Sequence, residues 1–199
     1  MNAPDGLASQ LVLPEGKILY HGTLADEFVH RHEPYPIHFT HPPMSDSPAW
    51  FADNRNFSLH AAMRFTVPGE EGEIVLHTYT VRKQLSMMSL PDIENFRVFM
   101  REMLGVNNLQ VNGLMEGIVL ARWSNEPMGL DGYALERDMV RGEPEYVLFQ
   151  VGLARLNAHP SQVIRVLPIK GTQSSKLVDK KTGVHLATYT YDNGPGKLQ

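Results

Sequence analysis

Ile18-Leu19-Tyr20-His21-Gly22-Thr23 reads as a β-strand that ends in His-Gly-Thr, and its pairing partners decide the fold. Far downstream, Glu145-Tyr146-Val147-Leu148-Phe149 reads as a second strand, one that opens on a glutamate. Trp50-Phe51-Ala52-Asp53 stands between them as a third short segment. A histidine, an aromatic residue and a glutamate thus mark the edges of three separate β segments, in that order. Runs of strands with a few interspersed helices make the expected class α+β.

Working outward, Glu73 to Arg82 is rich in β-branched and aromatic residues without a breaker, as a central strand would be. Behind Trp50-Phe51, the residues Phe57, Ala61, Ala62 and Phe65 recur with helical spacing, Asn54 or Asn56 can cap the run, and Pro68-Gly69 stops it. Pro91 to Leu104 carries apolar residues at helical period, with Pro91 suited to the first turn and Gly105 to the stop. Leu130 to Ala134, Glu145 to Leu153 and Val163 to Ile169 read as further strands, the last two separated by a turn at 157–161. Gly117 to Trp123 reads as a short strand or helix end, and Leu24 to Val29 as a helical turn before a long proline-broken loop.

These elements give an N-terminal lead-in over 1–16, one domain over 17–170, and a C-terminal extension over 171–199 that folds as a β-hairpin around Lys181-Thr182-Gly183. A chain of 199 residues with 42% hydrophobic content is long enough for one sizeable core. Its formal charge of −4 gives no global attraction to phosphate backbones or anionic lipid. The absence of cysteine excludes disulfides, thiolate metal sites and a cysteine nucleophile. No stretch approaches the roughly 20 apolar residues of a membrane span, and the N-terminus lacks a basic start and apolar core, so neither membrane insertion nor Sec-type export is expected.

Three motifs together resemble the ADP-ribosyltransferase superfamily, in its His-Tyr-Glu branch with diphtheria toxin and the poly(ADP-ribose) polymerases. Tyr20-His21-Gly22-Thr23 is similar to the first-strand motif. Trp50-Phe51-Ala52-Asp53, followed by Ser58, Ala61, Ala62 and Phe65, is similar to the second-strand aromatic and its helix. Glu145-Tyr146-Val147-Leu148-Phe149 is similar to the strand with the catalytic glutamate, and Asp131-Gly132-Tyr133 to the short strand that precedes it. The position usually held by tyrosine is Trp50 here, which keeps a ring and loses the phenol.

The resemblance implies a split pair of β-sheets with flanking helices and an NAD cleft, and an enzyme that transfers ADP-ribose from NAD to a macromolecular acceptor, protein or nucleic acid. The nicotinamide–ribose bond breaks through an oxocarbenium-like state, as glycosidic bonds generally do. Glu145 is the expected carboxylate that holds the ribose 2′-hydroxyl and stabilises the developing charge. By the same resemblance, His21 bonds a ribose hydroxyl, and the Gly22 backbone, flanked by Tyr20 and Thr23, clamps the carboxamide with help from Ser58. Trp50 stacks on the cationic pyridinium, with Phe65 as the second aromatic. Glu143 forms a Glu-x-Glu pair with Glu145, the arrangement that handles the acceptor in arginine-modifying members, although those carry arginine where this chain has His21.

Other features are weaker signals. The loop histidines His30, His32, His38 and His41 fit no common zinc spacing, and no metal is expected. Met87-Met88 suits either an adaptable surface or core, whereas the helical spacing of Met100 and Met103 favours core. Lys176, Lys180 and Lys181 read as solvated charges. Two alternatives stay open: an NAD glycohydrolase, in which water replaces the acceptor, and a non-catalytic module that binds NAD, a nucleotide or a protein on the same fold. The expected compartment is the cytoplasm, of the producing cell or of a target cell after delivery.

Overall fold

The computed structural model describes residues 9–25, 49–64, 66–91, 94–95, 98, 130–136, 143–191 and 197–198. The chain divides into two compact units, one drawn from 1–19, 42–53 and 79–157, the other from 20–41, 54–78 and 158–199. The described elements are α+β. No helix among the described residues is long and apolar enough to cross a membrane.

The first unit is organised by a five-stranded sheet of order β1-β5-β6-β7-β3, built from β1 (Ser9–Leu13), β3 (Ala49–Phe51), β5 (Leu85–Leu90), β6 (Gly132–Leu135) and β7 (Glu145–Leu148). Its pairs are antiparallel except β5 with β6. The expectation that residues 1–16 form a lead-in is corrected here: Ser9–Leu13 pairs with β5 over its whole length, and Leu13 is buried. Alternation explains it, since Leu11 and Leu13 project to one side and reach the core while Gln10 and Val12 project to the other. The core of this unit gathers Leu13, Phe51, Leu85, Met87, Ala134, Tyr146 and Leu148 from the sheet, with Leu19, Tyr79 and Val81. Burial of each large side chain contributes about 2 kcal/mol.

β5 was not legible as a strand. Leu-Ser-Met-Met-Ser-Leu has neither β-branched nor aromatic residues, and it becomes a strand because β1 and β6 supply ladders on both sides. Met87 and Met88 are accordingly buried core residues and no adaptable surface. The expected strand over 145–153 also ends early, at Leu148, and a short helix α2 (Gln150–Leu153) follows. Phe149 N–H donates to the Asp131 carbonyl, one step beyond the last β6–β7 pair, and the Gly152 backbone lies against that same carbonyl, where a Cβ would come within 2.3 Å of its oxygen.

The second sheet has seven strands, ordered β12-β11-β10-β9-β4-β2 with β8 beside β4. They are β2 (Ile18–Leu24), β4 (Gly72–Val81), β8 (Leu156–Ala158), β9 (Gln162–Pro168), β10 (Ser174–Asp179), β11 (His185–Thr190) and β12 (Lys197–Leu198). Helix α1 (Arg55–Met63) belongs to the second unit, whose core joins Leu59, Ala62 and Met63 of the helix to Ile74, Leu76, Ile164, Val166, Leu177, Ala187 and Tyr189. Asn54 is the N-cap, its side chain accepting from the backbone N–H groups of Asn56 and Phe57. The helix stops before the expected Pro68-Gly69, because the Thr66 hydroxyl and backbone N–H both donate to the Met63 carbonyl.

The hairpin over 171–199 is present as β10 and β11, yet it is no extension. β10 pairs with β9 as well as with β11, and Leu177, Ala187 and Tyr189 are core residues of the second unit. The helix expected at Pro91–Leu104, the segment Gly117–Trp123 and the four loop histidines fall almost entirely outside the described residues.

Candidate functional site

Strand register decides which side chains share a face. Trp50 of β3 and Tyr133 of β6 both pair with Val147 of β7, and Glu145 pairs with Leu135. Directly paired residues project from one face, and so do residues two apart along a strand. Trp50, Tyr133, Leu135, Glu145 and Val147 therefore occupy one face of the five-stranded sheet. Phe51, Ala134, Tyr146 and Leu148 occupy the opposite face, which is the core side. Glu145 stands diagonal to Trp50 on the neighbouring strand, a relation that spans about 7–8 Å.

Trp50 and Glu145 are half-buried, whereas Tyr133 is fully buried. The Tyr133 ring meets the indole edge to face, centroids 6.3 Å apart and planes at 86°, and meets Phe149 on its other flank at 6.3 Å and 54°. These ring contacts brace the indole of β3 on the face that carries Glu145. A ring and a carboxylate on one face suit a flat cationic ligand, the ring through its quadrupole and the carboxylate through charge.

The opposite face anchors the strand that carries Glu145. Tyr146 hydroxyl donates to Asp53 Oδ2 at 3.2 Å, and Lys17 Nζ donates to the same oxygen at 2.7 Å. Burial, together with the Asp53 charge and hydrogen bond, pushes the Tyr146 phenol up to about 12, so it stays a donor at neutral pH. Asp53, the last residue of the Trp50-Phe51-Ala52-Asp53 motif, is thereby a structural clamp. Asp131, ahead of Tyr133, is another: its carboxylate accepts from Ser86 N–H at 2.7 Å and from Arg155 at 2.7 Å while its side chain is only 4% exposed.

The first-strand motif lies in the second unit. Along β2, Leu19, His21 and Thr23 are buried and alternate with the half-buried Tyr20, Gly22 and Leu24. Helix α1 crosses β2 at Gly22, where a Cβ would stand 2.0 Å from the Ser58 carbonyl oxygen and 3.3 Å from the Ala62 methyl. Ser58, itself buried, donates its hydroxyl to the Tyr20 carbonyl at 3.1 Å. Gly22 and Ser58 thus have a packing role that holds with no ligand present: the glycine lets the helix approach and the serine ties it down.

His21 is 5% exposed, and its ring lies 6.1 Å from that of His77, tilted by 33°. His77 is buried too, and its Nδ1 is hydrogen-bonded to Ser161 Oγ at 2.7 Å. Neither His77 nor Ser161 stood out in the sequence. Parity along β4 was the available signal, since Ile74 and Leu76 enter the apolar core and His77 necessarily projects from the other face.

The structure thus brings Trp50 and Glu145 together on one sheet face, with Tyr133 as their brace, and gathers Tyr20, His21, Gly22, Thr23 and Ser58 around the contact of β2 with α1. Glu143 is half-buried on the segment that leads into β7. Phe65 lies outside the described residues. Among the described residues no group of three or more histidine, aspartate or glutamate side chains is arranged to hold a metal ion. No protein-family model matches the sequence, and neither a curated protein nor a solved structure is significantly similar to it.

Proposed function

We propose that this chain is an NAD-dependent mono-ADP-ribosyltransferase that cleaves the nicotinamide–ribose bond and passes ADP-ribose to a macromolecular acceptor. The observation that carries the reading is the diagonal placement of Trp50 and Glu145 on one face of the five-stranded sheet, with Tyr133 against the indole. The three-motif resemblance supplies the ligand. Trp50 stacks on the pyridinium, a cation only before cleavage, and the Glu145 carboxylate holds the ribose 2′-hydroxyl and offsets the charge that grows on the ribose as the bond breaks. Nicotinamide leaves neutral, so the reaction needs no general acid. His21 and the Gly22 backbone orient the ribose and the carboxamide in this reading.

Nicotinamide release from NAD by the purified protein, with and without cell extract, tests it. Glu145→Gln keeps size and hydrogen bonding but removes the charge, and is expected to slow release by at least about a hundredfold. Release that depends on extract and labels a macromolecule identifies the transferase. Release without any acceptor identifies a glycohydrolase using the same carboxylate. NAD binding with no turnover in wild type or variant points to a binding module, and no NAD binding at all overturns the family reading.

A further inference from the structure

The backbone places His21 and His77 opposite each other. β2 neighbours β4 in the seven-stranded sheet, Ala25 N–H donates to the Glu73 carbonyl, and Thr23 Oγ1 approaches the Val75 carbonyl. Moving two residues towards the start of β2 and two towards the end of β4 brings the register to His21 and His77. The ring contact of 6.1 Å agrees with that cross-strand relation. Directly opposed residues have Cβ atoms only about 4.5–5.5 Å apart, so the rotamer of one buried ring limits that of the other. Ser161 then limits the freedom of His77, because its hydroxyl takes up Nδ1 at 2.7 Å and so selects the ring flip.

We propose that His77 is a positioning residue, pinned by Ser161, that sets the imidazole of His21 in the orientation in which it meets a ribose hydroxyl of the dinucleotide. This rests on the reading of His21 as the ribose-holding residue. Ser161 is exposed, whereas both imidazoles are buried, so the set is anchored from the surface inward. Where a neighbouring group fixes the ring of a metal-ligating histidine, its loss costs about tenfold or more, and an effect of that size is expected here.

The test uses full-length Ser161→Ala, His77→Phe and His21→Gln, with two readouts. Long-range proton–nitrogen NMR of the imidazoles, taken without NAD, reports the ring state of His21. Steady-state nicotinamide release reports KM and kcat for NAD. Ser161→Ala keeps both rings and changes only an exposed hydroxyl, so it guards against a variant that fails to fold. The expected result is a changed His21 nitrogen signature in both Ser161→Ala and His77→Phe, with KM for NAD raised about tenfold and kcat altered much less. Wild-type turnover that His21→Gln abolishes, with KM and the His21 signature unmoved in the other two variants, overturns the positioning role and leaves the function standing. A wild-type protein that neither binds nor cleaves NAD overturns the function, and with it this role, whatever the imidazole spectra show.

Discussion

Gly22→Ala separates two reasons for a glycine in the His-Gly-Thr motif. If the residue serves only a ligand's close approach, the variant folds normally and loses NAD affinity. The structure gives it a packing reason as well, because the added methyl would stand 2.0 Å from the Ser58 carbonyl oxygen and 2.8 Å from its carbon. Both are helix backbone atoms, so no side-chain rotation relieves the overlap. Reaching an ordinary separation of about 3.5 Å requires α1 to retreat by about 1.5 Å. The Ser58–Tyr20 hydrogen bond, now 3.1 Å, is lost in that retreat, costing about 1 kcal/mol. Disturbed packing of Leu59, Ala62 and Met63 adds about 2 kcal/mol, as overpacked cores generally show. The expected loss is about 3 kcal/mol, a urea midpoint lower by about 1.5 M for a slope near 2 kcal/mol/M. Ser58→Ala, which removes only the bond, should cost about 1 kcal/mol. A Gly22→Ala midpoint within about 0.2 M of wild type would refute the close helix–strand contact.

Three further predictions concern stability. Burial pushes Tyr79 up to about 12, and burial with Asp53 does the same to Tyr146, from an ordinary value of 10.0. Below pH 10 both phenols are neutral, folded or unfolded; between pH 10 and 12 the unfolded chain ionises first, so stability falls by about 2 kcal/mol per ring after discounting for solvent screening. Urea unfolding of Tyr146→Phe should show about half of that alkaline loss, and an unchanged pH slope sinks the argument. Hydrogen bonds from Gln162 first, then from the Thr182 hydroxyl and backbone N–H, hold Asp179 down at about 2, against an ordinary 3.8. Its contribution is present above about pH 4 and is lost as pH falls towards 2, so Asp179→Asn should flatten the acid limb of a stability–pH curve. Arg155→Met leaves the buried Asp131 carboxylate with the Ser86 N–H but without the Arg155 charge, and should cost about 2 kcal/mol, less than a fully buried pair because the arginine side chain is 35% exposed. Recovery of the melting temperature in Asp131→Asn/Arg155→Met tests that cause, and a single variant as stable as wild type refutes it.

The strands legible in the sequence are those whose residues carry strand character themselves. Glu73 to Arg82 was marked by β-branched and aromatic side chains, and β4 occupies Gly72–Val81. The sequence offered Asn54 or Asn56 as the cap of α1, and Asn54 holds it, a local interaction readable from a few neighbours. Where structure is imposed from a distance, the sequence was silent. β5 depends on ladders from β1 and β6, and β1 on one from β5. α2 packs against the Asp131 carbonyl, which a Cβ at residue 152 would approach to 2.3 Å. Each of these partners is remote in the chain, so no local window contains the cause.

The candidate site divides along the same line. Residue types pointed to Trp50 and Glu145, but whether they meet is a matter of register, and register is a property of strand pairs. A slip of one residue between β3 and β7 would turn Trp50 to the core side, and Phe51 would then stand on the face of Glu145. Two features oppose that slip from the core face: the edge-to-face contact of Phe51 with Tyr79 at 5.4 Å, and the Tyr146–Asp53–Lys17 chain. Tyr133 opposes it from the other, since its contact with the indole exists only in the observed register. The residues that keep ring and carboxylate on one face are thus ones with no chemistry of their own in the proposed reaction. Substitution at Phe51 or Tyr146 is therefore expected to lower activity through register, with Glu145 and Trp50 both unchanged.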